Sequence, residues 1–303
     1  MKRLIPDFDL RPFTTVPEVG VARVPFDAAG GESANPFLRV VTRRPLAGEA
    51  PMPVGIVSRS YRLVQHLDIA RLCRDGICSA ENLSPHELRY EIGLSELDEL
   101  MHLRIRFPEC YGMHDFQDKP LGLRLECFNA VDGRASLVII LGWLRFVCAN
   151  GLVIGKAKVN IRHRHSRGLD LTRIRPAIRD ALRSVESDRD RIRRWQGEEV
   201  EVRDVSAWAD EAVTKAWRTK AAARVFHICD SGHDVEIERF TGDPATRIPV
   251  RRLVRVPGSP GRARTRYDVS QALSYVATRR RDIEERLEWQ EAIPGLLEKL
   301  PSP

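Results

Sequence analysis

The stretch Leu121–Val147 reads LGLRLECFNAVDGRASLVIILGWLRFV. Its first part alternates: Leu121, Leu123, Leu125 and Cys127 fall on one face of an extended chain, with Arg124 and Glu126 on the other. A period of two marks a strand with one buried face. The second part, SLVIILGWLRFV, is almost continuously apolar, and Val131-Asp132-Gly133-Arg134 joins the two. Asp-Gly between apolar runs is a strong hairpin signal, so two antiparallel strands are expected here.

The pattern extends upstream. Leu88, Tyr90, Ile92 and Leu94 alternate, and so do Leu103, Ile105 and Phe107. Before them VGIVS at 54–58 reads as a short strand, followed by a helix carrying Leu67, Ile69, Ala70, Leu72 and Cys73. Residues 1–53, rich in Pro and Gly with short apolar pieces such as FLRVV, read as an arm lying over a core.

Downstream, LRFVCANGLVIGKAKVNIRHRH at 144–165 runs from a buried strand end through an Asn-Gly corner into charge. Lys156, Lys158, Asn160, Arg162 and Arg164 share one face, and Ala157, Val159, Ile161, His163 and His165 share the other. Same-face neighbours in a strand lie about 6.6 Å apart. Four cations and an amide therefore form a rail at the spacing of an extended nucleic-acid backbone, where charge neutralisation dominates affinity. The same pattern also describes a solvent-facing strand protected by its charges.

After Gly168 the period becomes helical. Ile174, Ile178, Leu182 and Val185 form a stripe continued by Ile192 and Trp195, with Pro176 near the start. Ser206 is the expected cap of a second helix with Trp208, Ala212, Val213, Ala216 and Trp217. A third is expected from Asp268 through Val269, Leu273, Val276, Ile283 and Leu287. Strands first and helices later give an α+β class: an antiparallel sheet of about five to seven strands over residues 54–165, followed by amphipathic helices. The expected organisation is an arm at 1–53, a sheet core at 54–168, and a helical region at 169–303 with a basic loop at 247–266.

The charge is uneven. The 303 residues carry 49 Lys and Arg against 42 Asp and Glu, a net +7. From Arg162 to Arg194 there are eleven arginines and five acids; from Arg247 to Arg266 there are seven arginines and no acid. That second stretch alone equals the net charge of the chain. Its tail, VPGSPGRARTRY, has the content of a mobile loop, and basic loops that order on binding serve nucleic-acid recognition. Tyr267 is a candidate for stacking on a base or for packing.

Enzyme signatures are missing. His163 and His165 share a face, as metal ligands do, but no third ligand is evident. HICDSGH at 227–233 fits no zinc framework, and GLVIGKA at 151–157 lacks the gap and the Ser/Thr of a phosphate loop. No nucleophile elbow, metalloprotease helix or dinucleotide fingerprint occurs, so no catalytic residue, cofactor or metal is expected. Asp115, Asp118 and Glu126 leave open a nuclease assembled from scattered acids. The six cysteines contain no CxxC pair and fit reduced, buried thiols. No long apolar run and no N-terminal leader pattern is present, so a cytoplasmic protein without a membrane segment is expected.

The segment 128–152 resembles the phage/plasmid-like protein family, catalogued as domain of unknown function 932. The likeness rests on Asp132 and Gly133 in the turn and on Arg145, Val147, Cys148 and Asn150, with Gly151 completing the corner. Residues 54–72, VGIVSRSYRLVQHLDIARL, resemble the family's Gly-to-Tyr strand, its Val-Gln dipeptide and the helix that follows. His66 stands where Asn is expected in many members. The resemblance implies a mobile-element setting and, by analogy only, DNA handling.

Three functions follow as expectations. The first is a non-catalytic protein binding, or annealing, single-stranded DNA, alone or as a homo-oligomer. Its groove floor would be Lys156, Lys158, Arg162 and Arg164, and its clamp Arg251, Arg252, Arg255, Arg262, Arg264 and Arg266. The second is a protein partner in host defence, and the third a metal-dependent enzyme acting on nucleic acid.

Overall fold

The computed structural model describes residues 8, 10–17, 37–44, 52–114, 120–145, 151–152, 165, 168–237, 251–257, 259–280 and 283–301. The fold is α+β with antiparallel sheets, as expected. Two compact units are interleaved along the chain. One comprises Met1–Pro108, Arg124–Leu141 and Ala157–Arg183, and the other Glu109–Leu123, Gly142–Lys156 and Ser184–Pro303.

In the first unit, β1 (Phe13–Pro17), β2 (Leu38–Arg43) and β3 (Met52–Ser58) form a three-stranded antiparallel sheet. Part of the segment 1–53 is thus strand. Phe13, Val41, Val57 and Val131 pack into one apolar cluster, with Val54, Tyr61 and Leu63 against it. Gln65 acts as a substitute strand partner. Its Nε2 donates to the Phe13 carbonyl and its Oε1 accepts from the Phe13 N–H, both at 2.8 Å.

Helix α1 (His66–Glu81) follows, with Ile69, Ala70, Cys73 and Ile77 buried. It ends at Asn82, whose left-handed backbone (φ 52°) returns its N–H to the Cys78 carbonyl. The larger sheet has the order β4 (Arg89–Leu94), β5 (Leu100–Arg106), β7 (Pro120–Ala130), β8 (Val138–Arg145) and β9 (Gly151–Leu152). A short β6 (Met113–His114) pairs with the start of β7. The alternation holds where it was expected: Met101, Leu103 and Ile105 of β5 and Leu121, Leu125 and Cys127 of β7 have no exposure to solvent. Each such side chain contributes about 1.5–3 kcal/mol of burial. Helix α2 (Ile174–Leu182) packs on α1.

The Asp-Gly signal marks a turn but not a two-residue hairpin. β7 ends at Ala130 and β8 begins at Val138. Asp132 turns inward, accepting from the Arg134 N–H at 3.0 Å and pairing with the Arg134 guanidinium. Gly133 takes φ +82°, a conformation suited to glycine. Gly55 of β3 lies against this connection, and a Cβ there would sit 2.5 Å from Asp132 Cβ and 2.7 Å from its Cα. No rotamer change relieves a clash with main chain. Gly55→Ala is expected to cost about 1–3 kcal/mol by overpacking in denaturant unfolding. A negligible loss would mean that the 131–137 connection gives way freely.

The second unit is largely helical: α3 (Val185–Gly197), α4 (Val202–Trp208), a π turn over Ala209–Val213, α5 (Thr214–Ser231), α6 (Arg266–Thr278) and α7 (Ile283–Glu298). At its centre is α6, buried at every residue from Arg266 to Ala277, with α3, α5, α7 and β9 against it. Two expectations change here. Ser206 lies inside α4, whose N-cap position is Glu201. The third helix starts at Arg266, because Thr265 and Asp268 make a reciprocal capping box, and it stops at Thr278 before Ile283 opens α7. Strands β10 (His233–Ile237) and β11 (Arg251–Arg255) form a separate antiparallel ribbon.

Candidate nucleic-acid interface

The alternation that buries Met101, Leu103 and Ile105 sends His102, Arg104 and Arg106 to the other face of β5. On β4 the same face carries Arg89 and Glu91, and on β7 it carries Arg124, Glu126 and Phe128. The register sets Arg89 opposite Arg106 and Arg106 opposite Arg124. Three arginines therefore stand in one row across three strands, at the inter-strand spacing of about 4.8 Å. Arg104 lies in the next row, between Glu91 and Glu126.

Like charges directly opposite one another in a sheet are destabilising. Two acids moderate the row. Glu91 reaches Arg106 at 2.6 Å and Arg104 at 3.5 Å. Glu126 pairs with Arg124 and meets His102 Nε2 at 2.7 Å. Arg104 Nη2 lies 3.1 Å from His102 Nδ1, which must accept, so the imidazole is neutral and donates from Nε2 to Glu126. Four arginines against two carboxylates leave the face positive. Burial first, then the neighbouring Arg104 and Arg106, push the Arg124 pKa down against the pull of Glu126. Access is graded: Arg89 is exposed, the Arg106 side chain is 31% exposed and that of Arg124 10%. Such a face suits anions presented at intervals, because a guanidinium can grip a phosphate with two parallel N–H groups.

The sites expected from sequence are distributed as follows. Lys156, Lys158, Arg162 and Arg164 lie outside the described residues, as do Cys148 and Asn150. Arg145 ends β8 and Gly151 begins β9 opposite Leu144, with only their backbones described. The stretch expected to be a mobile loop is divided among built elements. Arg251, Arg252 and Arg255 belong to β11. Arg262 pairs with Asp230 at 3.1 Å. Arg264 is exposed, and its carbonyl accepts from the Val200 N–H at 3.0 Å. Arg262 and Arg264 line a groove of about 870 Å³ with Glu199, Glu201 and Arg203. Arg266 is not a surface cation. It is 8% exposed, donates to the Leu297 and Leu300 carbonyls at 2.9 and 3.0 Å, and meets Glu198 at 2.6 Å. Tyr267 is buried and packs in α6.

Residues of the 54–72 segment, with Asn129 and His165, form a polar joint beside the sheet. Tyr61 donates to the Ala130 carbonyl at 2.9 Å and stacks on His165 at 5.0 Å. His165, expected on the apolar face of its strand, is buried, with Nδ1 3.2 Å from the Arg62 carbonyl. Asn129 donates to the Val64 carbonyl (3.0 Å) and to His66 Nδ1 (2.8 Å), so His66 donates from Nε2 to the Asp98 carbonyl at 2.9 Å. Burial holds the His66 pKa down to about 4, against 6.5 in an open chain. Between those values the unfolded chain binds the extra proton, so stability is complete above pH 6.5 and falls as pH drops toward 4. The loss is about 3 kcal/mol. Unfolding measured from pH 7 to pH 4 should show this slope, and His66→Asn should flatten it. An unchanged slope in that variant would assign the dependence to other groups.

Among the described residues no cluster of three or more metal-ligating side chains occurs, and no helix is long and apolar enough to cross a membrane. Arg89, His102, Arg104, Arg106 and Arg124 were not singled out from sequence, although the alternation through 100–106 and 121–127 carried the signal. Neither a curated protein nor a solved structure matches the chain. A family model does match, over residues 53–282, which span the polar joint, the sheet and β11. The chain belongs to the family described as a domain of unknown function (DUF932).

Proposed function

We propose that this chain is a non-catalytic nucleic-acid-binding protein that takes single-stranded DNA on the polar face of β4, β5 and β7. The cross-strand row Arg89–Arg106–Arg124 carries the proposal. A row of opposed arginines lowers the stability of a sheet; Glu91 and Glu126 offset part of the charge, and a bound polyanion would offset the rest. Arg252, Arg255 and Arg264, exposed in the other unit, are further candidates for phosphate contact. The resemblance to phage/plasmid-like proteins supports a mobile-element setting, a cytoplasmic location and a role in strand binding or annealing.

Fluorescence anisotropy with labelled single-stranded DNA, duplex DNA and RNA across a salt series tests this. Four to eight phosphate contacts predict a log–log slope of roughly −3 to −6 for single strands. A steep slope with preference for single-stranded DNA supports the proposal. No binding at low salt, where the attraction is strongest, overturns it and favours a protein partner.

A further inference from the structure

The ribbon β10–β11 reverses the usual pattern of a half-buried sheet, in which apolar residues face in and polar ones out. The face turned to its own unit carries Asp234, which has no solvent exposure and is held by Arg224 of α5 at 3.0 and 2.5 Å. Val254 shares that face and is half-buried. On the outward face Val235 and Leu253 are directly opposed in register and are 37% and 63% exposed. They make one apolar spot that no described residue covers. His233 and Arg255 pair across the strands on the same face. Arg252 is exposed on the opposite face, where Glu236 stands opposite it in register, and Arg255 is exposed on the face of Leu253.

The ribbon's outward face therefore presents aliphatic groups at its middle with Arg255 and His233 beside them, and although Glu236 lies on the other face, the stretch Arg247–Arg266 itself contains no acid. Nucleic acid offers the complementary pattern: base faces that accept apolar side chains, bracketed by phosphates. Aliphatic side chains are used elsewhere as wedges between bases. We propose that β10–β11 is a wedge. Leu253 and Val235 enter the base stack of the bound strand, while Arg252 and Arg255 hold phosphates on either side. The wedge rests on the nucleic-acid reading and deepens it by assigning base contact to this ribbon.

The test uses the full chain and single-stranded DNA carrying 2-aminopurine, whose fluorescence rises when it leaves the stack. Wild type should raise the signal on binding. The double variant Val235→Ser, Leu253→Ser should bind with an unchanged salt slope and give little or no rise. Arg252→Ala with Arg255→Ala should reduce the slope magnitude by about 1.4, the share of two phosphates. The four side chains are on the surface, and circular dichroism should show an intact fold in both variants. Binding by wild type without a rise, or an equal rise in the serine variant, overturns the wedge and leaves the nucleic-acid reading standing. A serine variant that alters the sedimentation of the chain while wild type leaves 2-aminopurine dark would make the spot a contact between copies, again overturning the wedge. Failure of wild type to bind any oligonucleotide at low salt overturns both proposals.

Discussion

Arg266→Ala is expected to lower stability by about 3–5 kcal/mol, the cost of breaking a buried charged network by removing one partner. Its guanidinium satisfies the Leu297 and Leu300 carbonyls at the end of α7 and meets Glu198 just beyond α3, so its loss leaves two carbonyls without their donor and takes from Glu198 its nearest cation. Guanidinium-chloride unfolding measures the change, with Arg264→Ala as companion. Arg264 is exposed, and its truncation should move stability by no more than about 0.5 kcal/mol. In a binding assay the roles reverse. Arg264→Ala should weaken the salt dependence of DNA affinity, while Arg266→Ala, at temperatures where it remains folded, should leave it unchanged. An Arg266→Ala chain of normal stability and reduced affinity would return this residue to the surface.

The second large effect is on affinity. Arg89→Glu combined with Arg104→Gln should weaken single-stranded DNA binding by on the order of a hundredfold or more at low salt, since hydrogen bonds to charged groups contribute about 1.5–3 kcal/mol each. The salt slope should fall by about 1.4. Stability should move the other way for Arg89→Glu alone. A carboxylate opposite Arg106 replaces a like-charge pair by an opposite-charge one, a gain of about 0.2–1 kcal/mol. Weaker binding in a more stable protein is what a row kept for an anion predicts. Lower stability with unchanged affinity would make the row a structural feature.

The α+β class was legible because Leu103, Ile105, Leu121, Leu125 and Cys127 alternate, and because Ile174, Ile178 and Leu182 recur at helical spacing. Period alone reveals which face a residue takes. It does not reveal what lies across the sheet. Arg89, Arg106 and Arg124 became a row only through the register of two strand pairs, and no local pattern fixes that register. Helix starts were ambiguous for a related reason. Ser206 and Thr265 are both suitable caps, but only Thr265 has an acid three residues on that returns the bond. Asp132-Gly133 signalled the connection of β7 to its sheet neighbour β8 correctly, while its length, residues 131–137, follows from Asp132 being held by Arg134 and packed against Gly55. Arg266 misled because its partners lie 31 and 34 residues further on. Composition counts such a residue as surface charge wherever it ends up.

The burial of α6 on every side has a consequence for the order of events during synthesis. A helix with no solvent face cannot rest in its final place until all its neighbours exist, and α7 is made after it. Until the carbonyls of Leu297 and Leu300 have left the ribosome, Arg266 has only part of its network and α6 keeps an apolar surface open. Chains grow N-terminal first, so α3 and α5 exist before the helix they enclose, and the second unit closes only once α7 has been added.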